Sequence, residues 1–476
     1  MPVNAKEIKV DVVSFDQLFN GKKAVIIPEY QRPYEWGKSK TAELLNDLKE
    51  YFLDSEPQSP YYMGSVLFYY DQKNKNFEII DGQQRITTLL ILKNILNRSI
   101  AENENVVYNS HMSFAAIRET TEYAMNEEPL LKRLQAKDFL NQLEFTQVIT
   151  YSQDDSFAFF DTQNNRGVSL GATDFLKAYH LREINSAKLQ EANAVKWESA
   201  AVKWEDGDFL NFLFNKVLFR ARAWKSKNTP FENKDAVLDV FQKNTIKPDQ
   251  DTTYPLFSNN QNRQATYRTY NEDGQFTTAL NGEKKTEPAQ FPFNLRQPVY
   301  KGLNFFHYTE KYVAIHERIF GKNETRSAEV EEVLNFYDEV YNDDMSVYLR
   351  HLFKLAIIMY YDVFEENQLL RFAYHLDYLL GSIRIGKSLV KKESAQKCFT
   401  EPDYNLLDII AYAYAPEEVT RFLKELPKLE DIYQRIYKKE YELPKEGVQT
   451  RYRERVVKYF EKTKKDFKHR KQWLDE

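Results

Sequence analysis

"FEIIDGQQRITTLLILKNIL", Phe77 to Leu96, sets an apolar run against an apolar helical pattern, with five residues of another kind between them. Phe77, Ile79 and Ile80 read as a buried strand, and the residues from Ile86 onward as a helix. Asp81, Gly82, Gln83, Gln84 and Arg85 therefore fall at a strand-to-helix turn. Gly82 supplies the positive φ that a sharp reversal needs, and the backbone N–H groups that open a helix have no partner within it. Donors of that kind favour an anion.

Arg85 falls in the first helical turn, where the helix dipole disfavours a cation. Its position makes sense if the guanidinium grips a phosphate or a carboxylate. Asp81 would then orient Arg85 or hold a metal-bound phosphate. Gln83 and Gln84 offer donors and acceptors for a base, a sugar or a water, and Thr87 and Thr88 add hydroxyls. Spacing leaves a second reading open, in which Asp81 caps the helix and Arg85 pairs with a neighbouring acid.

Working outward, "YYMGSVLFYYD" and "NFEIID" flank the polar turn "QKNKN" and read as a hairpin that feeds the helix. "SKTAELLNDLKEYF" has a Ser/Thr start and helical spacing of Leu44, Leu45, Leu48 and Phe52. In "KAVIIPEYQRPYEW" a β-rich start gives way to an extended path forced by Pro28 and Pro33. Here Arg32 stands beside Gln31 and among Tyr30, Tyr34 and Trp36, a set that could stack a base while Arg32 reaches a phosphate. Taken alone, the stretch fits an aromatic cluster packing an irregular strand better. A third polar turn, "DTQNNRGVSLGATD", puts Asn164, Asn165 and Arg166 just before Gly167, ahead of a helix opened by Thr173 and Asp174. It also reads as an Asn-rich loop and helix cap.

The rest of the chain bounds the function. At 476 residues it is long enough for two or more domains. A formal charge of -5 confines any nucleic-acid contact to a local patch. The basic stretch Arg451 to Trp473, with ten Lys/Arg against three acids, reads first as a solvated surface helix and second as such a patch. Cys398 is the sole cysteine, which excludes an intrachain disulfide and a cysteine zinc cluster and suits a reducing cytoplasm. The seven histidines form no H-E-x-x-H pattern, and no metal site is expected from them. No GxxxxGK[ST] or GxSxG motif occurs. The N-terminus does not look like a signal peptide, and "LFKLAIIMYYDVF" from Leu352 is too short to cross a bilayer. A cytoplasmic protein with no membrane association is expected.

The expected fold class is α+β. Residues 1–100 form a small core and 101–246 a mainly helical extension carrying the third turn. Residues 247–299 form a polar loop or insertion with short strands, and 300–476 a helical C-terminal domain.

"IPEYQRPYEW", "IIDGQQRITTLLIL" and "FFDTQNNRGVSLGATDFLK", in this order, resemble the N-terminal domain of the GmrSD-type restriction family across roughly the first 190 residues. The resemblance implies a ParB/sulfiredoxin-like fold whose D-G-x-x-R turn cradles nucleotide phosphates. It also implies a nucleotide-binding, NTP-hydrolysing sensor or regulatory subunit of a bacterial anti-phage system. Gln31 and Arg32 match the family's Y-Q-R, Asp81 to Arg85 its D-G-Q-Q-R, and Asn165, Arg166 and Gly167 its N-x-R-G loop. On this reading Asp81, Gln84 and Arg85 are the catalytic candidates. Gln31, Arg32, Gly82, Gln83, Thr87, Asn165, Arg166 and Gly167 are the nucleotide-binding candidates, with a nucleoside triphosphate and Mg²⁺ as the implied ligands. Many family members carry a C-terminal HNH nuclease with an E-H-I-x-P-like stretch, and none occurs here. A separate nuclease or effector is therefore the expected partner, with phage DNA and a second copy of the chain also open. Two other readings remain: a non-catalytic DNA-binding or scaffold module, and a nuclease with an unrecognised C-terminal site.

Overall fold

The computed structural model describes residues 8–20, 22, 25–28, 31–55, 59–96, 108, 111–152, 155–156, 171–201, 208–248, 254–255, 267–270, 272, 275–280, 283–288, 293–321, 325–341, 345–401, 404–426 and 446–465. The chain divides into two compact units, Met1–Glu198 and Ser199–Glu476. The first is built on a mixed sheet and the second is mainly helical, which together make the α+β class.

In the first unit, strands β1 (Lys9–Ser14), β2 (Val25–Ile26), β3 (Tyr61–Asp71), β4 (Asn76–Asp81) and β5 (Leu143–Thr150) form one sheet in the order β1-β5-β3-β4-β2. β3 and β4 are the expected hairpin, antiparallel with Tyr69 opposite Glu78 and Tyr70 opposite Phe77. β1 runs antiparallel to β5, while β3 runs parallel to β5 and β2 parallel to β4. The helices are α1 (Lys38–Phe52), α2 (Gln83–Ile95), α3 (His111–Asn126), α4 (Glu128–Ala136) and α5 (Ala172–Arg182).

Successive strand residues point to opposite faces. Val66, Phe68, Ile79, Phe145 and Ile149 enter the large core with Leu45 and Leu48 of α1 and Ile86 and Leu89 of α2. Leu67, Ile80 and Val148 form a small second cluster. Ile86, Leu89 and Leu92 are all 0% exposed, and each such burial stabilises by about 1.5–3 kcal/mol. α2 buries residues all round its circumference, so this helix is packed from every side. β5 lies within the segment that reads as mainly helical. Leu143, Phe145, Val148 and Ile149 are all buried, so the clean alternation of a half-exposed strand is lost.

In the second unit, four short strands, β6 (Tyr254–Pro255), β7 (Tyr267–Tyr270), β8 (Gln275–Leu280) and β9 (Glu283–Pro288), make an antiparallel sheet in the expected loop-and-strand segment. The main helices are α6 (Leu303–Phe320), α7 (Ala328–Phe336), α8 (Val347–Phe364), α9 (Leu369–Gly386) and α10 (Val448–Lys462). Every residue of α8 from Leu352 to Tyr360 is buried, which accounts for its apolar sequence as a core helix. Among the described residues no helix is long and apolar enough to cross a membrane. In α9, Asp377 is 0% exposed and accepts hydrogen bonds from Tyr341 Oη (2.9 Å) and Tyr452 Oη (2.7 Å), tying α10 to the interior. α10 is the described part of the basic C-terminal stretch. Its Tyr452, Val456, Tyr459 and Phe460 are buried, as in a surface helix with one packed face. His469 and Trp473 lie outside the described residues.

Candidate functional site

The turn between β4 and α2 is shaped by two glycines and one arginine. Gly82 has φ 91°, and a Cβ there would overlap the Val66 side chain of β3, so glycine is required for both conformation and space. Gly64, at φ 94°, lies where β3 bulges: Tyr62 opposes Glu144 and Ser65 opposes Thr146, so Met63 and Gly64 together face a single residue of β5. Arg85 reaches back over this bulge. Its Nη1 donates to the Met63 carbonyl at 2.5 Å and its Nη2 to the Ser65 carbonyl at 2.7 Å, and Nη2 stands 3.8 Å from Asp81 Oδ2. A Cβ on Gly64 would lie 2.5 Å from Arg85 Nη1, so the glycine makes room for the guanidinium. Arg85 therefore latches the hairpin to the helix through backbone carbonyls, an anchor that spacing does not suggest.

The other candidates of the turn divide into engaged and unengaged. Gln84 Oε1 accepts the N–H groups of Glu35 (2.9 Å) and Trp36 (3.2 Å), and its Nε2 donates to the Pro33 carbonyl. Gln31 Nε2 donates to the Ile80 carbonyl at 2.8 Å. The first two motifs are thus brought together, with the "YQRPYEW" stretch held against the end of β4 and the start of α2. Thr87 is 2% exposed and shares a hydrogen bond with Tyr108 Oη at 2.6 Å, so its hydroxyl faces inward. Tyr34 is 0% exposed and bonded to Thr88 and Thr120, which makes it a core residue and not a platform for a base. Burial raises the Tyr34 phenol despite these threonine hydrogen bonds, and burial likewise raises Tyr108.

Arg32 and Gln83 make no hydrogen bond to any described residue. Among the described residues no side chain caps α2, and its first turn holds no acid, so no described side chain compensates the N–H groups of Gln83, Gln84 and Arg85 at the helix start. What the turn can do chemically is hold an anion against these donors, with Arg32 as the cation not committed to the fold.

Asn164, Asn165, Arg166 and Gly167 lie outside the described residues. The helix that follows them, α5, is opened as expected, with Asp174 Oδ2 accepting the Gly171 N–H at 2.9 Å. Sequence reasoning missed Lys177 of this helix. Its Nζ pairs with Glu198 at 2.9 Å and donates to the Gln31 carbonyl at 3.2 Å, so it fastens the arginine stretch from the far side. The signal available was a lysine inside an otherwise apolar helical stripe, "TDFLKAYHL". Among the described residues no three His, Cys, Asp or Glu side chains gather as a metal-ligand set.

A small mixed sheet whose hairpin turns through glycine into an arginine-latched helix is the class of domain found here. Residues 15–181 match the family described as GmrSD restriction endonuclease, N-terminal domain, which suggests a component of a restriction-type defence system. Residues 189–439, more than half of the chain, match the family of unknown function DUF7834, and the chain belongs to that family. Most of the region after the first match thus falls to this family. A search among curated proteins found no match.

Proposed function

We propose that the protein is the nucleotide-binding, NTP-hydrolysing sensor or regulatory subunit of its restriction-type system. The observation that carries this reading is the start of α2, with no capping side chain among the described residues, against which the 31–36 stretch is held; of the two described motif arginines in these turns, Arg32 has no hydrogen bond to the described residues. In it, the backbone N–H groups of Gln83 to Arg85 and the Arg32 guanidinium bind the phosphates, and Gln83 contacts the nucleotide or orders a water. Arg85, Gln84 and Lys177 are positioning residues: they hold the hairpin, the 31–36 stretch and α5 in register. Asp81, with its side chain 28% exposed, is the carboxylate available at the turn to orient a water or a nucleotide-bound Mg²⁺. Mg²⁺, when bound, neutralises charge on the phosphates. A separate nuclease or effector acts downstream.

The test is phosphate release from ATP, GTP and CTP with Mg²⁺, with and without phage DNA, comparing wild type with Arg32→Ala. Arg32 bonds to no described residue, so its loss is expected to leave the melting temperature unchanged while turnover falls at least about tenfold, the scale of one charge-assisted phosphate contact. Full activity in Arg32→Ala, or no release under any condition by wild type, would overturn the enzymatic reading.

A further inference from the structure

Strand β1 is an edge of the first unit's sheet, and with Ile8 just before it the chain reads Ile8, Lys9, Val10, Asp11, Val12. Ile8 is 47% exposed, Val10 58% and Val12 64%, three alternate residues on one face. Opposite Val12 on β5 stands Thr146, whose hydroxyl shares a 2.8 Å hydrogen bond with Tyr62 Oη, and Tyr62 is itself 59% exposed. The apolar strip thus runs from the edge onto the sheet. Soluble proteins commonly blunt such an edge with a proline or a bulge. β1 has neither: its register with β5 is unbroken from Lys9 to Ser14.

The backbone of this edge is as open as its side chains. The Phe15 N–H donates to the Leu143 carbonyl at 3.0 Å, so along the antiparallel ladder Val13, Asp11 and Lys9 turn their N–H and C=O groups toward β5. Ser14, Val12, Val10 and Ile8 turn theirs outward. Gln17 Oε1 accepts the Ser14 N–H at 3.0 Å and closes that end of the edge. Beyond it, the outward groups of Val12, Val10 and Ile8 meet no strand among the described residues.

These five residues are complementary to themselves. In an antiparallel pair of β1 strands related by a two-fold axis at Val10, Val10 faces Val10, Ile8 faces Val12 and Lys9 faces Asp11, the last two twice by symmetry. The outward-turned residues then form the hydrogen-bonded pairs. Lys9 and Asp11 fall at the non-hydrogen-bonded pairs, where facing side chains are closest. Both are on the same face, 3.0 Å apart within the chain, with side chains 60% and 40% exposed. An axis one residue along sets Asp11 against Asp11, and one residue back sets Lys9 against Lys9, so charge selects the Val10 register.

We propose that β1 is the docking edge for a second copy of this chain, the two β1 strands pairing antiparallel about Val10 and joining the two sheets into one. The occupant follows from the complementarity: an edge whose apolar residues, charges and outward N–H and C=O groups all match their own reverse fits itself. The contact is separate from the β4–α2 turn and does not depend on the reading given to that turn.

Sedimentation velocity of the full chain at rising concentration tests it, in wild type, Lys9→Asp, Asp11→Lys and an equimolar mixture of these two variants. Wild type is expected to shift from monomer to dimer. Either single variant sets like charges opposite each other at both symmetric positions and should weaken self-association about tenfold or more. The mixture should form dimers again, because each variant supplies the charge that the other lacks. If a variant melts early, the mixture still decides, since mixing changes the interface and not the fold of either chain. A wild type that stays monomeric at every concentration would overturn the proposal and leave the edge to a strand of another protein. Single variants that associate like wild type would put the contact elsewhere, and a mixture that stays monomeric would reject the pairing about Val10.

Discussion

Arg85 and Arg220 are both drawn into the interior of their units, yet they are held in opposite ways. Arg85 is bonded to two backbone carbonyls, with no described carboxylate nearer than 3.8 Å. Arg220 is 3% exposed and bonded to a buried carboxylate that two lysines also contact. In the first unit the charge is a fastening, neutralised by dipoles along a strand. In the second it belongs to a cluster with more cations than acids. The difference teaches that a motif arginine can be held by the fold itself, and that a buried carboxylate can gather cations that no motif announces.

Removing the acid separates the two arrangements most sharply. Glu232→Gln leaves Arg220 buried without its carboxylate and is expected to destabilise the protein by about 3–5 kcal/mol, read as a shift in the denaturant midpoint. A loss below 1 kcal/mol would mean that water or another acid already neutralises the cluster.

Arg85→Met releases the Met63 and Ser65 carbonyls and is expected to cost about 2–3 kcal/mol. Gly64→Ala should be damaging in wild type and much less so in the Arg85→Met background, because the clash is with the guanidinium itself. Additive effects in that double-mutant cycle would break the latch account.

The third prediction concerns acid. His351 stays neutral in the folded chain down to about pH 3, whereas the unfolded chain takes up its proton near 6.5. The unfolded state therefore binds more protons between those values, and stability is lost as pH falls through that window. The loss is up to about 2 kcal/mol between pH 6.5 and 5. His316, depressed by burial and Lys354, adds in the same direction. Thermal melts at several pH values check this, and His351→Gln should flatten the slope.

Smallest is Asp81→Asn, whose partner at 3.8 Å is partly exposed, expected to cost under about 1 kcal/mol. Because the fold survives it, its effect on phosphate release is a clean reading of what Asp81 does at the turn.

Much of the first unit was legible. The hairpin, α1 and the glycine turn followed from local pattern, because Gly82 and the Leu44, Leu45, Leu48 and Phe52 spacing each encode their own geometry. β5 was not, because burial on both faces removes its alternation and its partners lie far away in sequence. The roles of Arg85 and Lys177 were also illegible, since each depends on a carbonyl that only the fold brings near. The ion cluster in the second unit could not be read at all. Lys216, Glu232 and Lys392 stand well apart in sequence, and no local rule joins them.

The place of β5 between β1 and β3 bears on how the chain is made. Ser14 pairs with Glu144, so β1 leaves the ribosome with its partner roughly 130 residues behind, a wait on the order of ten seconds at 5–20 residues per second. β3 and β4 can close their hairpin at once, but the edge of β3 toward β5 stays open for most of that time. Val10 and Val12, more than half exposed even in the finished fold, are then on a strand with no neighbour. Nascent chains arrested before Leu143 should be cut within β1 by added protease, and chains arrested far enough beyond Thr150 for β5 to clear the exit tunnel should resist.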